Sequence, residues 1–157
     1  MPESTLSAAL EREHHEIDAG IEAFMASLEV GDASAEPLVR AMSALRRHIY
    51  LEEEFVFPVL RAAGMVPPVF VMLREHGEIW TAMDSIEAEV AGGLGGDAVI
   101  ATCRALLTQL EAHNSKEEPI IYPQADALLD AEAQRKLFAF LDSGEMPPGW
   151  VAERARG

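Results

Sequence analysis

The sequence is short of cysteine, of positive charge and of long apolar runs, and each shortage narrows what the chain can be. Cys103 is the single cysteine, so no intramolecular disulfide can form; this fits a reducing compartment, with Cys103 itself a small buried apolar residue. Lys and Arg number 12 against 27 Asp and Glu, a formal charge of -15. Such a surplus repels phosphate backbones and anionic lipid, which argues against nucleic-acid and membrane-surface binding and suits a protein that attracts cations. No run approaches the length of a membrane span, and the start MPESTLSAALERE lacks the basic and apolar regions of a signal peptide. The expectation is a cytoplasmic protein. No stretch alternates with period two over a useful length, so strands are not expected either.

What is present is helical periodicity in a chain of 157 residues, 49% hydrophobic and 25% charged, enough for one domain with its own core. From about Ser4 to Val30, residues Leu6, Leu10, Ile17, Ile21, Phe24 and Leu28 recur at the 3-and-4 spacing that only a helix gathers on one face. A second segment opens near Ser34, the expected N-cap, and runs through Leu38, Met42, Leu45, Ile49 and Phe55 towards Gly64, with Pro58 expected to kink or end it. A third starts at Pro67-Pro68 and carries Val69, Met72, Leu73, Ile79, Met83, Ile86 and Val90 up to the break GGLGGD. A fourth, N-capped by Asp97, runs through Val99, Leu106 and Leu110 to about Ile121. Short breaks make sequential helices antiparallel neighbours, so the fold class is all-α: an up-down-up-down four-helix bundle. A short fifth helix over Asp130 to Leu141 completes a domain of residues 1–141, and 142–157 form a C-terminal tail that folds back through Trp150.

The histidines decide the chemistry. His14 lies on the apolar stripe of the first segment, and His15 about 100° round from it. In the second segment the stripe reads Leu38, Met42, Leu45, His48, Glu52, Phe55, Val59. In the third His76 falls between Met72 and Ile79, and in the fourth His113 and Glu117 follow Leu106 and Leu110 before Ile120. Each long helix thus turns one His inward, and two add a Glu one turn later. Buried carboxylates without partners are strongly disfavoured, and two in one small core repel unless cations lie between them. Four imidazoles and two carboxylates form a mixed nitrogen and oxygen donor set suited to iron, manganese or zinc, and two shared carboxylates favour two ions over one. The chain also repeats itself: Glu13-His14-x-x-Ile17 matches Glu75-His76-x-x-Ile79, and HIYLEEEFVFP matches HNSKEEPIIYP. Of Glu52, Glu53 and Glu54, periodicity selects Glu52, leaves Glu53 as the runner-up and assigns Glu54 to water.

In His14, His48, Glu52, His76, His113 and Glu117, with Pro58 and Pro123 ending both repeats, the chain resembles the hemerythrin-like, or HHE cation-binding, family over about Leu6 to Leu128. The resemblance implies a bundle around a non-haem di-iron centre whose two iron ions are bridged by carboxylates and an oxo or hydroxo group. His14 and His48 would serve one iron, His76 and His113 the other, and Glu52 and Glu117 would bridge, with His15, Glu53 and Glu118 the nearest substitutes. The oxygen carriers of the family have a second His one turn after the third-helix His, where this chain has Trp80, and bridge with an Asp at the spacing held here by Glu118. With two His per iron the centre would be more symmetric and leave more coordination positions open.

The function so implied is binding or sensing of a small ligand (O2, NO or peroxide), or iron handling. A peroxide-decomposing di-iron oxidoreductase and a zinc or metal-free interaction bundle are the alternatives. Beyond the metal ligands no acid, base or substrate pocket is assignable, Tyr50 and Tyr122 reading as packing; nothing identifies a protein partner.

Overall fold

The computed structural model describes residues 5–31, 34–93 and 96–156. Ser4, Leu94 and Gly95, which figured in the expected helix ends, lie outside them. The described residues contain no strand. Helix α1 spans Leu6–Glu29, capped by the Thr5 hydroxyl, which accepts from the Ala8 N–H at 3.1 Å. The second long helix is built of α2 (Glu36–Leu51), a π-helical turn (Glu52–Val56) and α3 (Phe57–Ala62). Helix α4 spans Val66–Ala91. The fourth repeats the second: α5 (Asp97–Lys116), a π turn (Glu117–Ile121) and α6 (Tyr122–Leu128). A shorter α7 spans Ala131–Ser143, capped by Asp130.

Neighbouring helices run antiparallel, as their contacts show in pairs. His14 meets His48 while Gly20 abuts Ala41, and Phe57 stacks on His76 while Arg46 pairs with Asp84. His76 lies beside His113 while Thr102 reaches Glu89, and Ser7 bonds Asp126 while His14 bonds Glu118. The bundle is up-down-up-down. Two expected caps are corrected: Ala35 holds the cap position of α2 with no side-chain bond, so Ser34 is not the N-cap. Gly96, at φ 74°, precedes α5, so Asp97 is its first residue, placed to favour the helix dipole.

Each π turn ends two residues before a proline, at Val56 before Pro58 and at Ile121 before Pro123. Phe57 N–H bonds the Glu52 carbonyl and Tyr122 N–H the Glu117 carbonyl, each five residues back. Pro58 and Pro123 have no N–H to continue the ordinary ladder, and the wider turn absorbs the break without ending the helix. The extra residue shifts the inward face by one position. Val56 and Leu60 are therefore buried where Phe55 and Val59 were expected, and Ile121 is 1% exposed while the expected Ile120 is 49% exposed.

Six buried polar side chains, His14, His48, Glu52, His76, His113 and Glu117, form a layer across the bundle. Apolar residues close it on both sides: Ile17, Ile21, Leu45, Ile79 and Leu110 belong to one cluster, Leu6, Leu10, Leu51, Phe57 and Leu73 to the other. The chain after α7 returns to the bundle. Trp150 lies against Trp80 and Tyr50, Ala152 is fully buried, and a 3-10 turn (Glu153–Ala155) sits on α4.

Gly77 permits that contact, because a Cβ there would come within 2.8 Å of the Arg154 Cβ and 2.9 Å of its carbonyl carbon. Gly77→Ala is expected to lift the tail and destabilise the protein by about 1–3 kcal/mol, with faster tryptic cleavage after Arg154. Unchanged melting and unchanged cleavage would show that the tail contributes nothing.

Candidate metal centre

The six inward residues come from all four long helices and meet at the height of the π turns. They fall into two overlapping groups, His14, His48, Glu52, Glu117 and Glu52, His76, His113, Glu117, with one donor atom of each residue within 4.8 Å of the others in its group. The carboxylates divide their oxygens between the groups. Glu52 Oε2 is 3.3 Å from His48 Nε2 and its Oε1 3.1 Å from His76 Nε2. Glu117 Oε1 is 3.2 Å from His14 Nε2 and its Oε2 3.1 Å from His113 Nε2.

Every imidazole is held from behind by a carboxylate at Nδ1: His14 by Glu118 at 3.1 Å, His48 by Glu13 at 2.8 Å, His76 by Glu53 and His113 by Glu75, both at 2.9 Å. A carboxylate only accepts, so each Nδ1 carries a proton, which leaves Nε2 as the nitrogen that faces the centre and would bind a metal ion. That is the arrangement in which carboxylates orient metal-binding imidazoles. The outer carboxylates are anchored in turn: Glu13 by Arg47 at 3.5 Å, Glu75 by Lys116, and Glu53 by the Glu153 N–H of the tail at 2.9 Å.

This outer ring was missed in the sequence. Glu53 and Glu118 stood there as substitute bridging ligands; the structure places them behind His76 and His14. The available signal was the repeat itself, which preserves Glu13 beside His14 and Glu75 beside His76. Tyr122 was missed as well. Its hydroxyl reaches the centre, 2.7 Å from Glu52 Oε2, 2.8 Å from Glu117 Oε1 and His14 Nε2, and 3.1 Å from His48 Nε2. Tyr50 packs as expected, against Phe55, Phe140 and Trp150. His15 lies on the exposed face, and Trp80 is buried core beneath the Arg46 guanidinium.

The donor set fits metal ions and fits protons badly. His14 Nε2 and His48 Nε2 face each other at 3.1 Å, two lone pairs that need a proton or a cation between them. Tyr122 offers one proton to four acceptors. Glu52 Oε1 is buried with no hydrogen bond: His76 Nε2 is within 3.1 Å of it but is not aligned to donate. With protons alone, the electrostatics distort as this crowding dictates. Burial disfavours imidazolium, but Glu52 and Glu13 outweigh it and raise His48 to about 10, and Glu117 and Glu75 raise His113 to about 9. His76 is raised well above its ordinary value by Glu117, Glu52 and Glu53 against the same burial. Burial pushes both Glu52 and Glu117 upward, and the Glu117 charge adds to this at Glu52, yet the surrounding imidazoles hold both below the usual carboxylate range.

The six donors line a cavity of about 10 Å³, the space of a single water centre, whose other walls are Ile17, Leu45, Ile49, Ile79 and Leu110 with Asp18 and Asn114.

Because Glu53 acts on the centre only through His76, Glu53→Gln is expected to lower metal affinity by roughly 10–100-fold without removing a donor. Competition against a chelator measures it; an unchanged affinity would remove Glu53 from the assembly.

The family model described as Hemerythrin HHE cation binding domain matches residues 5–125. No curated protein and no solved structure matches the chain.

Proposed function

The chain belongs to the hemerythrin HHE cation-binding family, and on that premise we propose that its metal centre is a di-iron centre that binds a small ligand, O2, NO or peroxide. The observation that carries this reading is the division of Glu52 and Glu117 between two His pairs, one oxygen to each. A single ion would not need both carboxylates spread across both groups. His14 and His48 would hold one ion and His76 and His113 the other. Imidazole and carboxylate donors suit iron that changes between ferrous and ferric, which is the chemistry the bound metal supplies. The protein's own contribution is to fix four imidazoles by their Nδ1 bonds and to enclose them between two apolar clusters. The small cavity restricts access to ligands of water or diatomic size. The single free cysteine and the absence, among the described residues, of a helix able to cross a membrane are compatible with a cytoplasmic setting.

The donor count, two imidazoles for each position, also favours a second reading: open coordination positions used to turn over peroxide. Iron content and the visible spectrum of the anaerobic ferrous protein, before and after adding oxygen, test the first reading. Two irons per chain with a spectral change on oxygenation are expected. Protein that retains zinc in preference to iron, or no metal at all, would overturn it. A steady-state peroxide assay separates binding from turnover, since only an enzyme exceeds the rate of an equal amount of free iron.

A further inference from the structure

The two repeats match in the donors, His14 with His76, His48 with His113 and Glu52 with Glu117, and differ in the aromatic ring that follows each His-x-x-x-Glu. Tyr122 and Phe57 each stand immediately before the proline, just after their π turns. Their rings are also placed alike. Phe57 lies 5.2 Å from the His76 ring at 27°, and Tyr122 lies 5.5 Å from the His14 ring at 31°. What differs is one hydroxyl, fully buried and directed at the His14–His48 group.

That oxygen has the position of a donor rather than of a bystander. Around it His14 Nε2, His48 Nε2, Glu52 Oε2 and Glu117 Oε1 stand at 2.8, 3.1, 2.7 and 2.8 Å. Those four are themselves spaced at 3.1 Å from His14 to His48, 3.3 Å from His48 to Glu52 and 3.2 Å from His14 to Glu117. Donors bonded at right angles to one ion at about 2.0–2.2 Å lie about 2.8–3.1 Å apart. Of these seven distances four fall within that range and the other three within about 0.2 Å of it, close to the spacing of five donors to one ion. Hydrogen bonding alone does not account for this crowding, because a phenol has a single proton.

We infer that the Tyr122 hydroxyl oxygen is a fifth protein donor to the metal position held by His14 and His48, and that the His76–His113 position, facing Phe57, has four. The two halves of the centre are thus chemically unequal although the sequence repeat is nearly symmetric. On ligation the phenol O–H bond breaks, the metal–oxygen bond forms, and the proton leaves to solvent. The inference rests on the two-metal reading of the site.

The test uses protein loaded with ferrous iron under nitrogen and then oxidised with ferricyanide, with iron content measured on the same samples. A ferric ion bound to a phenolate has a visible charge-transfer band and phenolate vibrations in the resonance Raman spectrum. Tyr50, the other tyrosine of the chain, lies outside the centre and cannot supply them. The parent protein is expected to show one such band at two irons per chain. Tyr122→Phe, which copies the residue already tolerated in the first repeat, is expected to lose the band while keeping two irons. Phe57→Tyr is expected to double it. Two irons per chain in the parent without the band, or a band that survives in Tyr122→Phe, would overturn the inference and leave the di-iron reading standing. No iron in the parent would overturn both.

Discussion

Glu52→Gln is expected to weaken metal binding at both positions at once, by more than about 100-fold each, well beyond the loss for an outer carboxylate. The reason is that Glu52 is fully buried and sends one oxygen to each His pair. The amide keeps the volume and one oxygen, but its nitrogen has no lone pair to offer and turns N–H groups towards an imidazole. His48→Gln, by contrast, removes a donor from one group only, so it should cost one position and spare the other. Metal content after dialysis, with calorimetric titration of the metal-free variants, distinguishes the two patterns. If Glu52→Gln kept both ions with affinities within about threefold of the parent, Glu52 would not be shared between them, and the two-ion reading of the centre would fail.

Removing the metal is expected to be the largest single perturbation of stability. A ligand held at a thousand times its dissociation constant stabilises the folded state by about 4 kcal/mol, which for a chain of this size corresponds to roughly 8–16 °C in melting temperature. The gap should widen as pH rises. In the metal-free protein His48 and His113 titrate at about 10 and about 9, both above the ordinary value of 6.5, and His76 is raised as well. Their protons therefore contribute stability that is complete below pH 6.5 and is lost as the pH passes through 9 and 10. Glu52 and Glu117 are lowered and Glu75 falls to about 2, so their contribution holds above the usual carboxylate value of 4.5 and fades below it. Metal-free protein should thus be most stable between these limits. Metal binding displaces the imidazole protons, so affinity should climb roughly tenfold per pH unit for each proton released, up to about pH 9. Melting of zinc-loaded and chelator-treated protein at pH 6, 7.5 and 9, and titrations in buffers of different ionisation enthalpy, measure both effects. A gap that narrowed with pH, or binding without proton release, would contradict the proton-for-metal exchange.

The reach of periodicity explains which of these residues were visible early. His14, His48, Glu52, His76, His113 and Glu117 stand on the apolar stripes of their own helices, and a polar residue on such a stripe is buried whichever partner helix arrives. Glu13, Glu53, Glu75 and Glu118 sit one residue away from those positions. Whether each faces water or the next helix depends on helix register, which no single helix encodes. The same holds for Tyr122. As an aromatic before a proline it is ordinary packing, until the π turn advances its phase and carries the hydroxyl across to His14 and His48.

By itself, then, the sequence determined an all-helical antiparallel bundle and the six polar residues at its centre, because both follow from local spacing and from the cost of burying charge. Tertiary structure alone decided the carboxylates behind each imidazole, the tail on Gly77 and the groups that the Tyr122 hydroxyl meets. Each of these depends on where one helix stands against another, and that is settled only when the four pack together.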